Sequence, residues 1–150
     1  MRGLYLITND DPIQLLLEKL DAALATRQVA ILQYRRKKID KADQPAEVEQ
    51  IKLLCEKYQA PFVINDDLKL AAQFGLGVHL GQSDGEITDA KSQLPEGVII
   101  GRTCLNSLEL AQKAIADGAT YIAFGAVYAT STKPEAGNVV IEVIKQAAAQ

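Results

Sequence analysis

The sequence has few of the residues from which most metal and nucleophile sites are built. It contains one histidine, His79, and two cysteines, Cys55 and Cys104, among 150 residues. One histidine cannot form a histidine-ligated metal site, and the distant cysteines show neither metal-type spacing nor a disulfide framework. We expect both cysteines to be free thiols in a reducing compartment, which predicts a cytoplasmic protein.

Charge of one sign and long apolar runs are also missing. The net charge of -3 gives no overall basic field for nucleic acid, and no polybasic tail suggests a membrane surface. No apolar run approaches the roughly 20 residues of a membrane-spanning helix. The first residues lack the apolar region and cleavage site of a signal peptide. With 48% apolar residues, the chain is long enough for one globular domain with a substantial core.

Short apolar runs alternate with helical patterns along the whole chain. Because parallel strands joined by helices are buried on both faces, their strands are expected to be continuous apolar runs like these. The alternation therefore predicts a parallel sheet with right-handed crossovers. The predicted strands are residues 4–7, 29–34, 61–64, 78–80, 98–100 and 121–124.

The type of parallel sheet follows from a further absence. No Gly-rich dinucleotide fingerprint follows the first strand, which disfavours an open nucleotide-binding sheet. A barrel of βα units fits better, although such a barrel closes with eight units and typically needs about 250 residues. We therefore predict an α/β fold of the TIM (βα) barrel class with about six of the eight units. Residues 1–150 are expected to be a single domain that is truncated at its C-terminus.

Polar side chains follow five consecutive predicted strands. In a βα barrel the carboxyl ends of all strands meet on one face, where the active site lies. Polar residues from five neighbouring units would therefore gather on one rim, which is much less expected by chance than any one of them alone. These residues are Gln33, Arg35, Lys37, Asn65, Asp66, Gln82, Asp84, Thr103, Thr130, Thr132 and Lys133.

Each of these residues also has a purely structural interpretation. The basic run 35–38 could be a solvated loop. Asp66 and Asp84 could be helix caps or turn residues, and Thr103 could cap the helix that follows it. His79, in the fourth strand, is more simply a packed barrel residue than a general base.

The chemistry of the rim residues is nevertheless coherent. The carboxylates of Asp66 and Asp84 are hard oxygen ligands that suit Mg²⁺. Arg35, Lys37 and Lys133 would surround that point with positive charge, as a pyrophosphate requires. No nucleophile–base pair is visible in the sequence. The residues thus predict a site that holds a polyphosphate with Mg²⁺ and stabilises it as a leaving group.

Four segments resemble the thiamine-phosphate synthase family, and the resemblance extends from Gly3 to the end of the chain. That family is a transferase of thiamine biosynthesis. It joins 4-amino-2-methyl-5-hydroxymethylpyrimidine diphosphate to 4-methyl-5-(2-phosphoethyl)thiazole and releases pyrophosphate. The matching segments are Gln-Tyr-Arg-Arg-Lys at 33–37, Ile-Asn-Asp-Asp at 64–67, Gly-Val-His-Leu-Gly-Gln-Ser-Asp at 77–84 and Thr-Ser-Thr-Lys at 130–133.

The resemblance implies a role for each rim residue. Mg²⁺ would be held by Asp66 and Asp84, and the small-molecule substrates by the side chains around them. In the implied mechanism the bond to pyrophosphate breaks first, and the thiazole nitrogen captures the resulting pyrimidine cation. The catalytic set would be Arg35, Lys37, Thr103 and Lys133. The substrate-binding set would be Gln33, Tyr34, Arg35, Arg36, Lys37, Asn65, Thr103 and Lys133 for the pyrimidine diphosphate, with Thr130, Ser131 and Thr132 for the thiazole phosphate.

The sequence departs from the family pattern in a few places. Thr103 stands where Ser is usual, Leu105 where a polar residue or His is common, and Ala126 and Ala129 where prolines are usual. The family continues through two more βα units, which include part of its thiazole-phosphate site. We therefore expect this chain to keep most of the pyrimidine-diphosphate site and to lack half of the thiazole-phosphate site.

Three other functions stay open at this point. A thiazole tautomerase would have the same fold, but it has no use for the basic cluster or for two metal-binding carboxylates. A non-catalytic sensor of thiamine precursors would more naturally have lost the carboxylates. A generic phosphate-binding isomerase would need a placed acid–base pair. The family resemblance also suggests a homodimer, and it gives no role to nucleic acid or a membrane.

Overall fold

Strands and helices alternate through the computed structural model of the chain, which describes residues 2–128 and 141–149. No helix in these two ranges is long and apolar enough to cross a membrane. The strands in the described ranges are β1 Leu4–Ile7, β2 Val29–Tyr34, β3 Phe62–Asn65, β4 Gly77–Leu80, β5 Ile100–Thr103 and β6 Tyr121–Ala123. The helices are α1 Ile13–Ala25, α2 Gln44–Tyr58, α3 Leu68–Phe74, α4 Ile87–Gln93, α5 Leu108–Asp117 and α6 Ile141–Ala148.

The strands form one parallel sheet in the order β1-β2-β3-β4-β5-β6. In a flat sheet of this width the edge strands would lie roughly 24 Å apart, at about 4.8 Å for each neighbour. Instead, the hydroxyl of Tyr5 on β1 lies 2.6 Å from the hydroxyl of Tyr121 on β6. The sheet therefore curls until side chains of its two edge strands meet on the inside, and the predicted barrel class with six units is confirmed.

Local sequence signals explain several helix ends. The carboxylate of Asp67 accepts a hydrogen bond from the amide of Leu70 at 3.0 Å and begins α3. The hydroxyl of Ser107 does the same for α5, by accepting from the amide of Leu110 at 3.1 Å. The helix α5 ends at Gly118, whose φ of 98° lies in the left-handed region that favours glycine. Thr103 is thus not the cap of α5.

The fifth strand differs from its prediction. The apolar run indicated residues 98–100, whereas β5 is Ile100–Thr103. The pairing with β4 decides this, because Val78 is the register partner of Ile100 and Leu80 is the partner of Arg102. Arg102 and Thr103 belong to the strand because their backbone groups continue the hydrogen-bond ladder. An apolar run alone does not reveal this.

The two faces of the sheet have different chemistry. Val78 and Leu80 of β4 are fully buried in the apolar core between sheet and helices. His79 lies between them in sequence and contacts Tyr5 and Tyr121 on the inside of the curl. Because successive side chains of a strand point to opposite faces, the core lies outside the curl and polar groups line its inside.

A buried ion pair joins the end of β2 to its surroundings. The guanidinium of Arg36, 1% exposed, donates to both carboxylate oxygens of Glu47 on α2, at 2.7 and 3.0 Å. The hydroxyl of Tyr34 donates to the same carboxylate at 2.8 Å. Arg36 also donates to the carbonyls of Asn9 and Asp11 in the loop after β1. One side chain therefore holds a strand end, a helix and a loop together.

We expect Glu47→Ala to lower the free energy of unfolding by about 3 kcal/mol, because it would leave the Arg36 charge buried without a carboxylate. Urea unfolding followed by circular dichroism measures the change. Glu49→Ala, at an exposed position of the same helix, is the control and should change stability by less than about 0.5 kcal/mol. Equal effects of the two variants would contradict a structural role for the buried pair.

Candidate active site

The carboxyl ends of β2, β3, β4 and β5 lie side by side along one edge of the sheet. These strands are adjacent and parallel, and Asn65 at the end of β3 is the register partner of His79 on β4. The edge carries Gln33, the residues 35–37, Asn65, Asp66, Asp84 and Thr103. The fold therefore brings together the strand ends on which the sequence placed a site.

Asp66 and Asp84 approach one another across Gly81. The backbone amide of Gly81 donates to Asp84 Oδ2 at 3.0 Å. The side-chain amide of Asn65 donates through Nδ2 to Asp66 Oδ2 at 2.7 Å. A Cβ atom at position 81 would collide with Asp84 Oδ2 and would lie 3.9 Å from Asp66 Oδ1. A side chain at position 81 would therefore displace the carboxylate of Asp84 from the place where it accepts this hydrogen bond.

The backbone at Asp66 is in an uncommon conformation. Its φ is 62°, in the left-handed region, while its amide continues the ladder by donating to the carbonyl of His79 at 2.8 Å. Such conformations cost free energy in residues other than glycine and cluster at functional sites. The strand end is therefore turned so that the side chain of Asp66 reaches Asn65 and the space beside Gly81.

The donor set of this pair suits a hard cation such as Mg²⁺. In residues 2–128 and 141–149, no three His, Cys, Asp or Glu side chains lie close enough to hold a metal ion by themselves. Mg²⁺ is typically bound by one or two carboxylates and completes its shell with water and substrate phosphate. Two aspartates beside an amide and a basic strand end thus fit Mg²⁺ better than a metal that needs a full protein cage.

Among the four consecutive cations only Arg36 forms an ion pair in the described residues, and two of the other three, Arg35 and Lys37, belong to the predicted site. Arg35 is half-buried, its backbone amide donates to the hydroxyl of Thr8 at 2.8 Å, and Lys37 is exposed. Neither side chain forms an ion pair in the part of the chain that the structure describes. Their positive charge is not neutralised by a neighbouring carboxylate, as a phosphate-binding role requires.

Tyr34 and Arg36 are placed differently. Both side chains point to α2 and bind Glu47, so the structure gives them internal partners. Burial and the hydrogen bond to Glu47 raise the pKa of Tyr34, which therefore stays a neutral donor. Direct contact of these two side chains with a substrate stays a prediction without structural support.

The inside of the curl holds a series of hydrogen bonds that the sequence analysis missed. Gln33 Nε2 donates to the hydroxyl of Tyr5 at 2.9 Å, and this hydroxyl lies 2.6 Å from that of Tyr121. The Tyr121 hydroxyl lies 2.7 Å from His79 Nδ1, and His79 Nε2 lies 2.9 Å from Thr103 Oγ1. Burial raises the pKa of both tyrosines. The signal available in the sequence was a phenol at an inward position of β1 and of β6.

A second omission concerns the loop that carries Asp84. The buried guanidinium of Arg102 donates to the carbonyl of Gly85 at 2.5 Å, and the amide of Gln82 donates to the carbonyl of Thr103. Both bonds tie the loop after β4 to β5. His79, at 8% exposure, is a packed residue, as the structural interpretation of the sequence held.

The predicted thiazole-phosphate segment lies outside the described residues. This applies to Thr130, Ser131, Thr132 and the cation Lys133. Their roles stay predictions.

Comparison with known proteins agrees with the fold and with the chemistry of the strand ends. A solved structure of a thiamine phosphate pyrophosphorylase from Pyrococcus furiosus matches with a TM-score of 0.80 at 28% identity. The match covers 97% of this chain and 68% of that chain. The model of the family described as thiamine monophosphate synthase matches residues 4–150. Since that match takes in nearly the whole sequence, the chain belongs to the thiamine monophosphate synthase family.

Proposed function

We propose that this chain condenses 4-amino-2-methyl-5-hydroxymethylpyrimidine diphosphate with 4-methyl-5-(2-phosphoethyl)thiazole and releases pyrophosphate. Members of its family are transferases that depend on a metal ion and act on small molecules. The observation that carries the proposal is the pair Asp66 and Asp84 across Gly81, at the edge where Arg35 and Lys37 lie without ion-pair partners in the described ranges. A tautomerase would need neither feature.

The metal proposed for this site is Mg²⁺, held by Asp66 and Asp84. When bound, Mg²⁺ supplies positive charge that binds the diphosphate and stabilises it as a leaving group. Asn65 donates to Asp66 and so orients this carboxylate. The remaining ligands would be water and phosphate oxygens, which the open edge of the sheet leaves room for.

The residues of the chain act mainly through charge and position. Arg35, Lys37 and Lys133 would neutralise the pyrophosphate as its bond to the pyrimidine methylene carbon breaks. The electron pair of that bond leaves with pyrophosphate, and the thiazole nitrogen then bonds to the carbon. No proton has to be removed in this sequence of steps, so it needs no general base.

The remaining predicted contacts divide into direct and indirect ones. Gln33 and Thr103 would contact the pyrimidine ring, and the segment 130–132 would receive the thiazole phosphate. Tyr34 and Arg36 would act indirectly, because their bonds to Glu47 fix the backbone from which Arg35 and Lys37 project. A cytoplasmic location and a homodimer complete the proposal, with support from the family resemblance alone.

Binding of the pyrimidine diphosphate should need both Mg²⁺ and the acidic pair. We expect isothermal titration to show binding with Mg²⁺ and none with EDTA. Asp84→Asn should weaken it by roughly 10- to 100-fold, the usual cost of losing a charged contact. Asp89→Asn, at an exposed position of α4, is the matched control and should bind like the unaltered protein. Equally tight binding in EDTA, by protein shown to be folded, would contradict the proposed metal site.

The basic strand end provides a second test. Arg35→Met and Lys37→Met should each weaken binding of the diphosphate by roughly 10-fold or more, because each removes a charged phosphate contact. The comparison is Lys38→Met, which changes the adjacent exposed cation outside the proposed site. Titration in rising salt should show a smaller salt dependence for the first two variants. Equal effects of all three variants would contradict specific phosphate contacts by Arg35 and Lys37, and would indicate only a general electrostatic attraction.

A further inference from the structure

The series of hydrogen bonds inside the curl connects two residues of the proposed pyrimidine site. Gln33 stands at one end and Thr103 at the other. Between them lie Tyr5, Tyr121 and His79, for which the proposed mechanism has no use. These three side chains, from β1, β6 and β4, are called the interior relay below.

The direction of the hydrogen bonds is set at one end. Gln33 presents its Nε2 to Tyr5, and an amide nitrogen only donates. Tyr5 accepts from it and has one proton of its own. If Tyr5 gives that proton to Tyr121, then Tyr121 gives its proton to His79 Nδ1. Every hydroxyl proton of the relay then has an acceptor.

In the opposite direction one hydroxyl proton, that of Tyr5, has no acceptor among the described residues. Tyr121 would donate to Tyr5, and the proton of Tyr5 would have no protein acceptor within residues 2–128 and 141–149. The relay would then be satisfied only if Gln33 turned over and presented its oxygen to Tyr5. The orientation that the structure gives Gln33 therefore favours the direction from Gln33 towards His79.

This direction determines whether Thr103, at the far end, donates or accepts. An imidazole that accepts at Nδ1 is neutral and carries its proton on Nε2, so His79 donates to Thr103. Thr103, having accepted, has its own hydroxyl proton left to donate. Gln33, which uses one Nε2 proton inside, keeps both its carbonyl oxygen and its second Nε2 proton.

We propose that Tyr5, Tyr121 and His79 are positioning residues that make Thr103 a hydrogen-bond donor towards the substrate ring. An aminopyrimidine offers the matching group, since its ring nitrogens accept. A 4-oxo analogue carries a proton on one of these ring nitrogens, which then cannot accept from Thr103. The identity of the ring rests on the proposed function, whereas the state of His79 is a property of the chain alone.

The tautomer of His79 can be measured without any substrate. His79 is the only histidine in the sequence, so long-range ¹H–¹⁵N correlation of the imidazole needs no assignment. The spectra are recorded at a pH at which the ring is neutral, and we expect its proton on Nε2. A neutral ring with its proton on Nδ1 would overturn the proposal.

Tyr121→Phe tests whether the relay sets this state. The ring of Tyr121 packs on Gly101, and phenylalanine keeps that packing while it removes the hydroxyl. We expect the variant to fold and its His79 to become a mixture of the two neutral tautomers. The matched control is Tyr58→Phe, which removes a hydroxyl that donates to Asp21 at 2.8 Å away from the relay. Unchanged tautomer signals in Tyr121→Phe would contradict the relay.

The functional consequence is measured as selectivity. Titrations compare 4-amino-2-methyl-5-hydroxymethylpyrimidine diphosphate with its 4-oxo analogue, in the presence of Mg²⁺. The unaltered protein should prefer the amino compound by roughly 100-fold or more, as sites built around hydrogen bonds do. Tyr121→Phe should lower this ratio about tenfold, and Tyr58→Phe should not change it.

The two proposals fail separately. If the unaltered protein binds neither compound, the proposed function fails while the tautomer measurement still stands. If it binds the amino compound but Tyr121→Phe keeps the full selectivity, the positioning role fails alone.

Discussion

The curl of the parallel sheet is the constraint on which the other features depend. It brings Tyr5 of β1 within 2.6 Å of Tyr121 of β6, although 116 residues separate them in sequence. Polar groups that turn towards one another in a confined space must find partners, because an unpaired buried group costs about 1–3 kcal/mol. The series from Gln33 to Thr103 meets this requirement. The same curl therefore shapes the interior and connects strands that are not neighbours.

On the outer face of the sheet, the structure has to accommodate a buried positive charge. Tyr34 and Arg36 leave the end of β2 on the side of the helices, where water is excluded by the apolar core. Their bonds to Glu47 satisfy a buried charge that would otherwise be costly. Gln33 and Arg35, at the alternate positions, are thereby left to the interior and the rim. The strand alternation thus separates a structural cation from one that is available to a ligand.

The rim combines like charges that oppose each other in the absence of a ligand. Asp66 and Asp84 approach across Gly81, and the side chains of Arg35 and Lys37 have no carboxylate partner in the described ranges. A metal–diphosphate pair would relieve both excesses at once, since it brings positive charge to the aspartates and negative charge to the cations. Part of the binding energy of such a ligand would come from this relief. The left-handed backbone of Asp66 fits the same interpretation, as strain kept where function needs it.

Much of the fold and of the site's location follows from local sequence. Apolar runs alternating with helical stripes imply parallel strands, and the carboxyl ends of such strands meet at one edge. Caps such as Asp67 and Ser107, and the helix end at Gly118, likewise depend on a few adjacent residues. The family resemblance added the expected ligands of the rim residues, which the residues alone leave as a polyphosphate and a hard cation.

Only the tertiary structure decided which members of the polar clusters face a ligand. Four consecutive cations look alike in the sequence, and the position of Glu47 on α2 singles out Arg36 for the interior. The bounds of β5 depended on its register with β4, and not on its own apolar run. The contact between Tyr5 and Tyr121 exists because the sheet curls, and no pattern within either strand records it. The sequence by itself determined the elements and the chemistry available at their ends. The pairing of distant side chains depended on the curled shape that all the strands make together.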